Sequence, residues 1–186
     1  MNDTNVNVWQ GEKVRLRAVE PEDWEHFHRD SLDTEAARLY DEVPFPASAE
    51  GARRWAQELS VAGPKNDEFR WVIENREGAI VGMINTQRCN RRNGTFEYGL
   101  GIHREHWRRG YASEAIRLVL THYFGELRYQ KVTVHAYSFN EPSIRLHESL
   151  GFRQEGRLRR MIFTGGAYHD VLVFGLTVEE FNQQRG

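Results

Sequence analysis

A mixed, mostly antiparallel sheet with helices on its faces, an α/β (α+β) architecture, is the fold that this chain predicts, and three observations carry it. Short runs with strand patterning recur along the sequence: KVRLRAV at 13–19, FRWVIE at 69–74 and KVTVHAY at 131–137. Longer amphipathic stretches with helix-entry signals stand between some of them, and glycine-bearing turns join others as hairpins. The resulting order, β-α-α-β-β-β-α-β-α-β-β, closes one core and suggests a single domain over residues 1–186.

Lys13 to Val19 alternates charged and apolar residues and reads as a strand with one exposed face. Pro21 then opens a helix in which Trp24, Phe27 and His28 fall at helical spacing, with Glu20, Glu22 and Asp23 at the entrance where the macrodipole favours them. After Pro44 and Pro46, Ser48 is a good N-cap for a second helix carrying Glu50 in its first turn and Ala52, Trp55, Ala56 and Leu59 on its apolar face. FRWVIE and AIVGMINTQRC (79–89) form a hairpin around Glu77-Gly78, and TFEYGLGI (95–102) follows the turn at Asn93-Gly94. From Tyr111 to Phe124 a helix presents Ala115, Leu118, Val119 and His122, widened by Ile116, Leu120 and Phe124, so most of its surface is expected to be buried. KVTVHAY is the next strand and Asn140 to Leu150 the next helix. The last two strands, 152–163 and 167–176, flank the turn at Thr164-Gly165-Gly166.

Composition removes several classes of function. With 39% hydrophobic and 28% charged residues the chain is of ordinary globular character, and no apolar run approaches the roughly 20 residues of a membrane span. The first 18 residues lack an apolar core after a basic start, so no secretory signal is expected. Cys89 is alone, which excludes an internal disulfide and suits the reducing cytoplasm. A net charge of −2 gives no global attraction to nucleic acid or to an anionic membrane, so any anion site must be local.

The stretch EHWRRGYASEA (105–115) has the makings of such a site. Gly110 permits a tight turn or a close ligand approach, and the helix that follows offers unpaired N–H groups and the positive end of its dipole. Arg108 and Arg109 are unfavourable there unless an anion lies between them and the amides. Just upstream, Gly99 and Gly101 interrupt a strand, as at a bulge or beside a ligand lying on the backbone. Together they suggest an extended ligand along the strand with its anionic end at the helix.

GIHREHWRRGYASEA (101–115), with NEPSIRLHESLGF (140–152) after the next strand, resembles the acetyl-CoA-binding core of the GNAT acetyltransferases, and PFPASAEGARRW (44–55) is similar to the RimJ/RimL-like branch, which acetylates ribosomal-protein N-termini and small amines. The resemblance implies a strand pair that splays apart, with Leu100, Gly101 and Ile102 exposing backbone to the pantetheine arm of acetyl-CoA. It places the diphosphate on Arg108, Arg109, Gly110, Ala112 and Ser113. Asn140 and Ser143 match family positions near the pantetheine, although Asn140 is equally an ordinary helix cap. Trp107 stands where the family often has Gln or Arg.

The same resemblance implies direct transfer to a primary amine, a small molecule or a peptide N-terminus, in a ternary complex. The amine must first lose its ammonium proton. Glu97 shares a strand face with Gly99 and Gly101 and is the candidate base; the alternative is a surface carboxylate. His147 replaces the tyrosine that many members use as the acid for the departing thiolate. It shares a helix face with Ser143 and Leu150 and is either that acid or a core histidine. His135, His169 and Asp170 are weaker candidates. Asp33, Glu35, Tyr40, Asp41, Glu42 and Phe45 are candidates to face the amine, where acidity would suit a cation; the alternative is that they are simply a solvated surface. Dinucleotide, phosphate-loop and nucleophile-elbow motifs are incomplete, and the arginines beside His103 and His106 disfavour a metal. A non-catalytic acyl-CoA-binding regulator on the same fold is the alternative function. A nucleic-acid binder using Arg88, Arg91 and Arg92 is disfavoured by the acidic balance. A homodimer is compatible with the sequence, which does not specify one.

Overall fold

The computed structural model describes residues 7–40 and 43–184, so part of the segment read for a signal peptide, and both Asp41 and Glu42, lie outside the described residues. Strand β1 (Val14–Arg17) is shorter than the alternation at 13–19, because its pairing with the next strand ends at Arg17 and the chain turns away toward Pro21. A 3-10 turn, Pro21–Asp23, leads into α1 (Trp24–Asp30). Buried Asp23 holds the Arg17 guanidinium in two hydrogen bonds of 2.8 and 2.9 Å, tying this entry to β1. The short α2 (Thr34–Ala37) has too few residues for an apolar period; it forms where the Asp33 carboxylate accepts the Ala36 N–H. Helix α3 (Ala49–Val61) starts at Ser48, whose hydroxyl accepts the Gly51 N–H.

β2 (Arg70–Asn75), β3 (Ile80–Asn90) and β4 (Thr95–Ile102) then run as a meander, with Gly78 and Gly94 in the left-handed region at its two turns. Helix α4 (Tyr111–Gly125), β5 (Lys131–Tyr137), α5 (Glu141–Ser149), β6 (Arg153–Thr164) and β7 (Ala167–Thr177) follow in the expected order. A last helix, α6 (Val178–Gln183), is too short for a periodic signal and is fixed by a capping box between Thr177 and Glu180.

The seven described strands lie in the order β1-β2-β3-β4-β5-β7-β6 and pair antiparallel, except that β4 and β5 are parallel. Because strand side chains alternate, the two faces carry different cores. Trp71, Ile73, Ile84, Phe96 and Tyr98 pack with Ile116, Val119, Leu120 and Tyr123 of α4. Val72 and Ile80 pack on the other face with Phe27 and Ala56 of α1 and α3. That second core is small, and the sheet surface beside it is open to a cavity.

β4 and β5 pair only at Thr95–Lys131, Phe96–Val132 and Glu97–Thr133. Yet β4 stays paired with β3 as far as Ile102, and β5 with β7 as far as Tyr137. The two strands therefore part after Glu97, and a wedge opens in the middle of the sheet.

Candidate active site

The wedge is lined by backbone. The His103 N–H donates to Val81 O at 2.9 Å, and the unshifted register from Glu97 to Ile102 repeats that direction every second residue. Gly99 and Gly101 thus turn their peptide groups toward β3, whereas Tyr98, Leu100 and Ile102 turn theirs across the wedge. The Ile102 carbonyl is engaged, accepting from the Trp107 indole at 2.7 Å. Of the three residues expected to expose backbone, Leu100 offers both its groups to the wedge and Ile102 its N–H, while Gly101 faces β3. The two glycines form no bulge; the ladder shifts between Gln87 and Asn90 instead. They make room: a Cβ on Gly99 would lie 3.1 Å from Asn85 Oδ1, and one on Gly101 3.6 Å from the Tyr40 ring.

At the wide end of the wedge stands the entrance of α4. Gly110, at φ +82°, is its N-cap, and Arg108 is also left-handed at +62°. Among the described residues no backbone acceptor meets the N–H groups of residues 108–113, which is the arrangement an anion such as a diphosphate needs. Arg109 donates to Glu105 O at 3.2 Å, and Lys13 reaches in from the neighbouring loop to donate to Arg109 O at 3.4 Å, adding a third cation. That loop is fixed by Glu114, in the first turn of α4. Its carboxylate accepts the N–H groups of Glu12, Lys13 and Val14 at 2.9, 2.7 and 2.7 Å. Gly11 is required beside it, since a Cβ there would fall 2.5 Å from the Glu114 carboxyl carbon.

Asn140 caps α5 by accepting the Ser143 N–H at 3.1 Å, and its amide also donates to Leu39 O at 2.7 Å. One side chain thereby joins the cofactor-side helix to the α2 segment that carries Tyr40. His147 is only 5% exposed and lies among Tyr98, Phe152 and Phe174. Nδ1 stands 2.8 Å from Ser143 O, a bond that requires a proton on that nitrogen, so Nε2 accepts from the Tyr98 hydroxyl at 2.9 Å. Burial pushes the imidazole down to about 4, and it is neutral at neutral pH.

A cavity of about 740 Å³ opens on the α1/α3 face against the outer half of β4. Tyr40, Trp55, Met83, Asn85, Gln87 and the backbone of residues 99–102 line it, so it meets the wedge at Leu100. Asp33 faces it but is paired with Arg104 in two 2.8 Å bonds, which hold its carboxyl down to about 2. Glu35 is paired with Arg38 at 3.3 Å, and Phe45 is 93% exposed. Glu97 shares the face of Gly99, as alternation requires, but its oxygens are turned to Arg88 at 3.2 Å and His135 at 3.6 Å. His169 packs edge-on against Phe139, and Asp170 binds Arg157. Arg91 pairs with Asp67. No group of three or more metal-ligating side chains is found among the described residues.

Arg70, Asn85 and Gln87 were not singled out from the sequence, although they line the cavity. Polar residues alternating inside the apolar run AIVGMINTQRC were the available signal, since an inner strand rarely turns amides into a core.

The model of the acetyltransferase (GNAT) domain matches residues 13–153. Over 181 residues the chain is 49% identical to the SPbeta prophage-derived uncharacterized N-acetyltransferase YokL of Bacillus subtilis, covering 97% of this chain and 99% of that protein. It is 26% identical to the spermidine N(1)-acetyltransferase of Vibrio cholerae over 159 residues, 86% of this chain and 90% of the relative. The crystal structure of the Vibrio cholerae spermidine N-acetyltransferase in complex with CoA and spermine superposes with a TM-score of 0.79 at 22% identity, over 92% of this chain and 99% of that one, and shares the fold.

Proposed function

Because the chain belongs to the GNAT family of acetyltransferases, we propose that its wedge and cavity bring acetyl-CoA and a primary amine together for direct transfer in a ternary complex. The observation that carries this reading is the continuity of three features: backbone groups free at Leu100, unengaged N–H groups at 108–113, and a cavity meeting the wedge between them. The residues present fit the cosubstrate. Leu100 and Ile102 would pair with the pantetheine as an added strand, and Arg108, Arg109, Gly110, Ala112 and Ser113, with Lys13, would hold the diphosphate. Acetyl-CoA supplies an acetyl group activated as a thioester.

The chain's own tasks are to orient the amine, receive its proton and exclude bulk water. Glu97 stands at the apex of the wedge and is the nearest carboxylate on the cavity face of β4. In this reading it is the final acceptor of the ammonium proton, which would reach it through water in the cavity. His147 acts through Tyr98: the imidazole fixes the phenol that packs beneath the apex, and both its ring nitrogens are already engaged. The PFP segment before α3 favours the RimJ/RimL-like branch, with a peptide N-terminus or a small amine as acceptor, the latter in keeping with the spermidine acetyltransferase relative.

The test is calorimetry with CoA on the wild type and Gly110→Val. Valine is β-branched and poorly suited to φ +82°, so the entrance must refold to admit it. CoA affinity is expected to fall tenfold or more, about 1.4 kcal/mol. A folded Gly110→Val protein with unchanged affinity would overturn the placement.

A further inference from the structure

Arg70, Asn85 and Gly99 stand directly opposite one another across β2, β3 and β4, on the face that floors the cavity. Among the described residues the Arg70 guanidinium makes no hydrogen bond and no ion pair. Its only contact of note is the Trp55 ring, whose centroid lies 5.6 Å from the guanidinium carbon. Partial burial disfavours its charge without any compensating partner. Among the described residues the carboxylates lining the same cavity are each engaged: Asp30 with His103 at 2.5 Å, Asp33 with Arg104, and Glu105 with Arg29 at 3.8 Å. Glu68, across a second cavity that shares Arg70, accepts the Cys89 N–H at 3.3 Å instead. Among the described residues, then, Arg70 is the one guanidinium on the cavity wall with no carboxylate of its own, and it sits on the floor.

Three polar groups that line the same cavity are also without partners among the described residues. They are the amides of Asn85 and Gln87 and the buried Nδ1 of His28. An unpaired guanidinium with unpartnered side-chain amides on the same wall is a receptor for a carboxylate. We propose that the acceptor is a primary amine that carries its own carboxylate, bound by Arg70 while the amine reaches Leu100. This rests on the acetyl-transfer reading above. β2 and β4 are two strand spacings apart, about 9.6 Å, so the acid stands several bonds from the amine rather than on the adjacent carbon. Trp55, Tyr40 and Met83 provide an apolar path between the two ends. A polyamine, by contrast, would find the described acidic groups of the lining already partnered and a cation on the floor.

The chemistry suits a small ω-amino acid or a peptide N-terminus with an acidic side chain, and two matched pairs separate them. One is 6-aminohexanoate against 6-aminohexanamide; the other is Ser-Glu-Gly amide against Ser-Gln-Gly amide. Spermidine serves as the cationic contrast. The acid of at least one pair is expected to exceed its amide tenfold or more in kcat/KM, and to exceed spermidine. That ratio should collapse to within about twofold in Arg70→Gln and survive in part in Arg70→Lys. No preference in either pair, a preference for spermidine, or a preference that persists in Arg70→Gln would overturn the proposal. A readout independent of turnover is calorimetric binding of 6-acetamidohexanoate and N-acetyl-Ser-Glu-Gly amide, the two products. The tighter-bound of them should bind at least tenfold more weakly to Arg70→Gln, and equal binding to both proteins would overturn the assignment even if transfer were never observed. Failure of the acetyl-transfer reading looks different: no CoA affinity and no product from any amine.

Discussion

Replacing His147 by glutamine should change how stability depends on pH, and the size of the change follows from its burial. In the unfolded chain an imidazole protonates near 6.5; in the folded protein it does so near about 4, mainly because burial disfavours the cation. Between those values the unfolded state binds more protons, so stability rises with pH there. The contribution is complete above neutrality and is lost as pH falls from about 7 to about 4. The full span is worth about 3 kcal/mol, and about 2 kcal/mol of it disappears between pH 7.5 and pH 5. The side chain is only 5% exposed, so solvent screening removes little of this. His26, His106 and His122 are lowered as well, and for that reason the comparison is made between proteins rather than on the wild type alone. Urea unfolding at the two pH values should show the wild type losing about 2 kcal/mol more than His147→Gln. Parallel losses would mean that His147 is not held neutral in the core. The same burial predicts that the pH profile of turnover carries no limb belonging to His147.

Glu114→Gln should lower stability by about 1–3 kcal/mol, because the amide cannot accept all three N–H groups of residues 12–14 and turns a donor toward them. Hydrogen exchange at those three amides should accelerate, and unchanged protection would refute the role. Asn140→Ala should cost about 1 kcal/mol for the lost cap and, by releasing Leu39, raise the acceptor KM more than it weakens CoA affinity; an equal effect on both would count against the linkage. Glu97→Gln should reduce kcat without changing CoA affinity, and full turnover at neutral pH in a folded variant would assign the proton to another acceptor.

Local conformation was legible in the sequence, and pairing was not. Gly110 at a helix entrance, Asn93-Gly94 and Ser48 each announce a backbone state that the residue itself favours, and the structure has φ +82° at Gly110, φ +65° at Gly94 and a capped helix after Ser48. Alternation likewise assigns Glu97 to the face of Gly99 and Gly101, in agreement with the register against Gln87, Asn85 and Met83. What alternation cannot supply is the partner. Glu97 is turned by Arg88, whose own φ of +49° brings it back across the strand, and no spacing rule contains that contact. The splay of β4 from β5 came from resemblance alone, because where two strands part depends on what packs between them.

Arg70 shows the same limit from the other side. An arginine near the start of FRWVIE reads as the exposed start of a strand, and only the tertiary placement of Asp30, Asp33, Glu105 and Glu68 reveals that each of these nearby carboxylates has another partner. A cation kept partly buried and unpaired is a cost that folding does not require, since glutamine would fill the same position beside Asn85 without desolvating a charge. Arg17, on the neighbouring strand, shows how the fold treats a structural guanidinium: it is bound by Asp23 and Glu74 at 2.7 to 2.9 Å. The contrast between the two arginines, one saturated with carboxylates and one with none, is the physical ground for assigning Arg70 to something the chain does not itself contain.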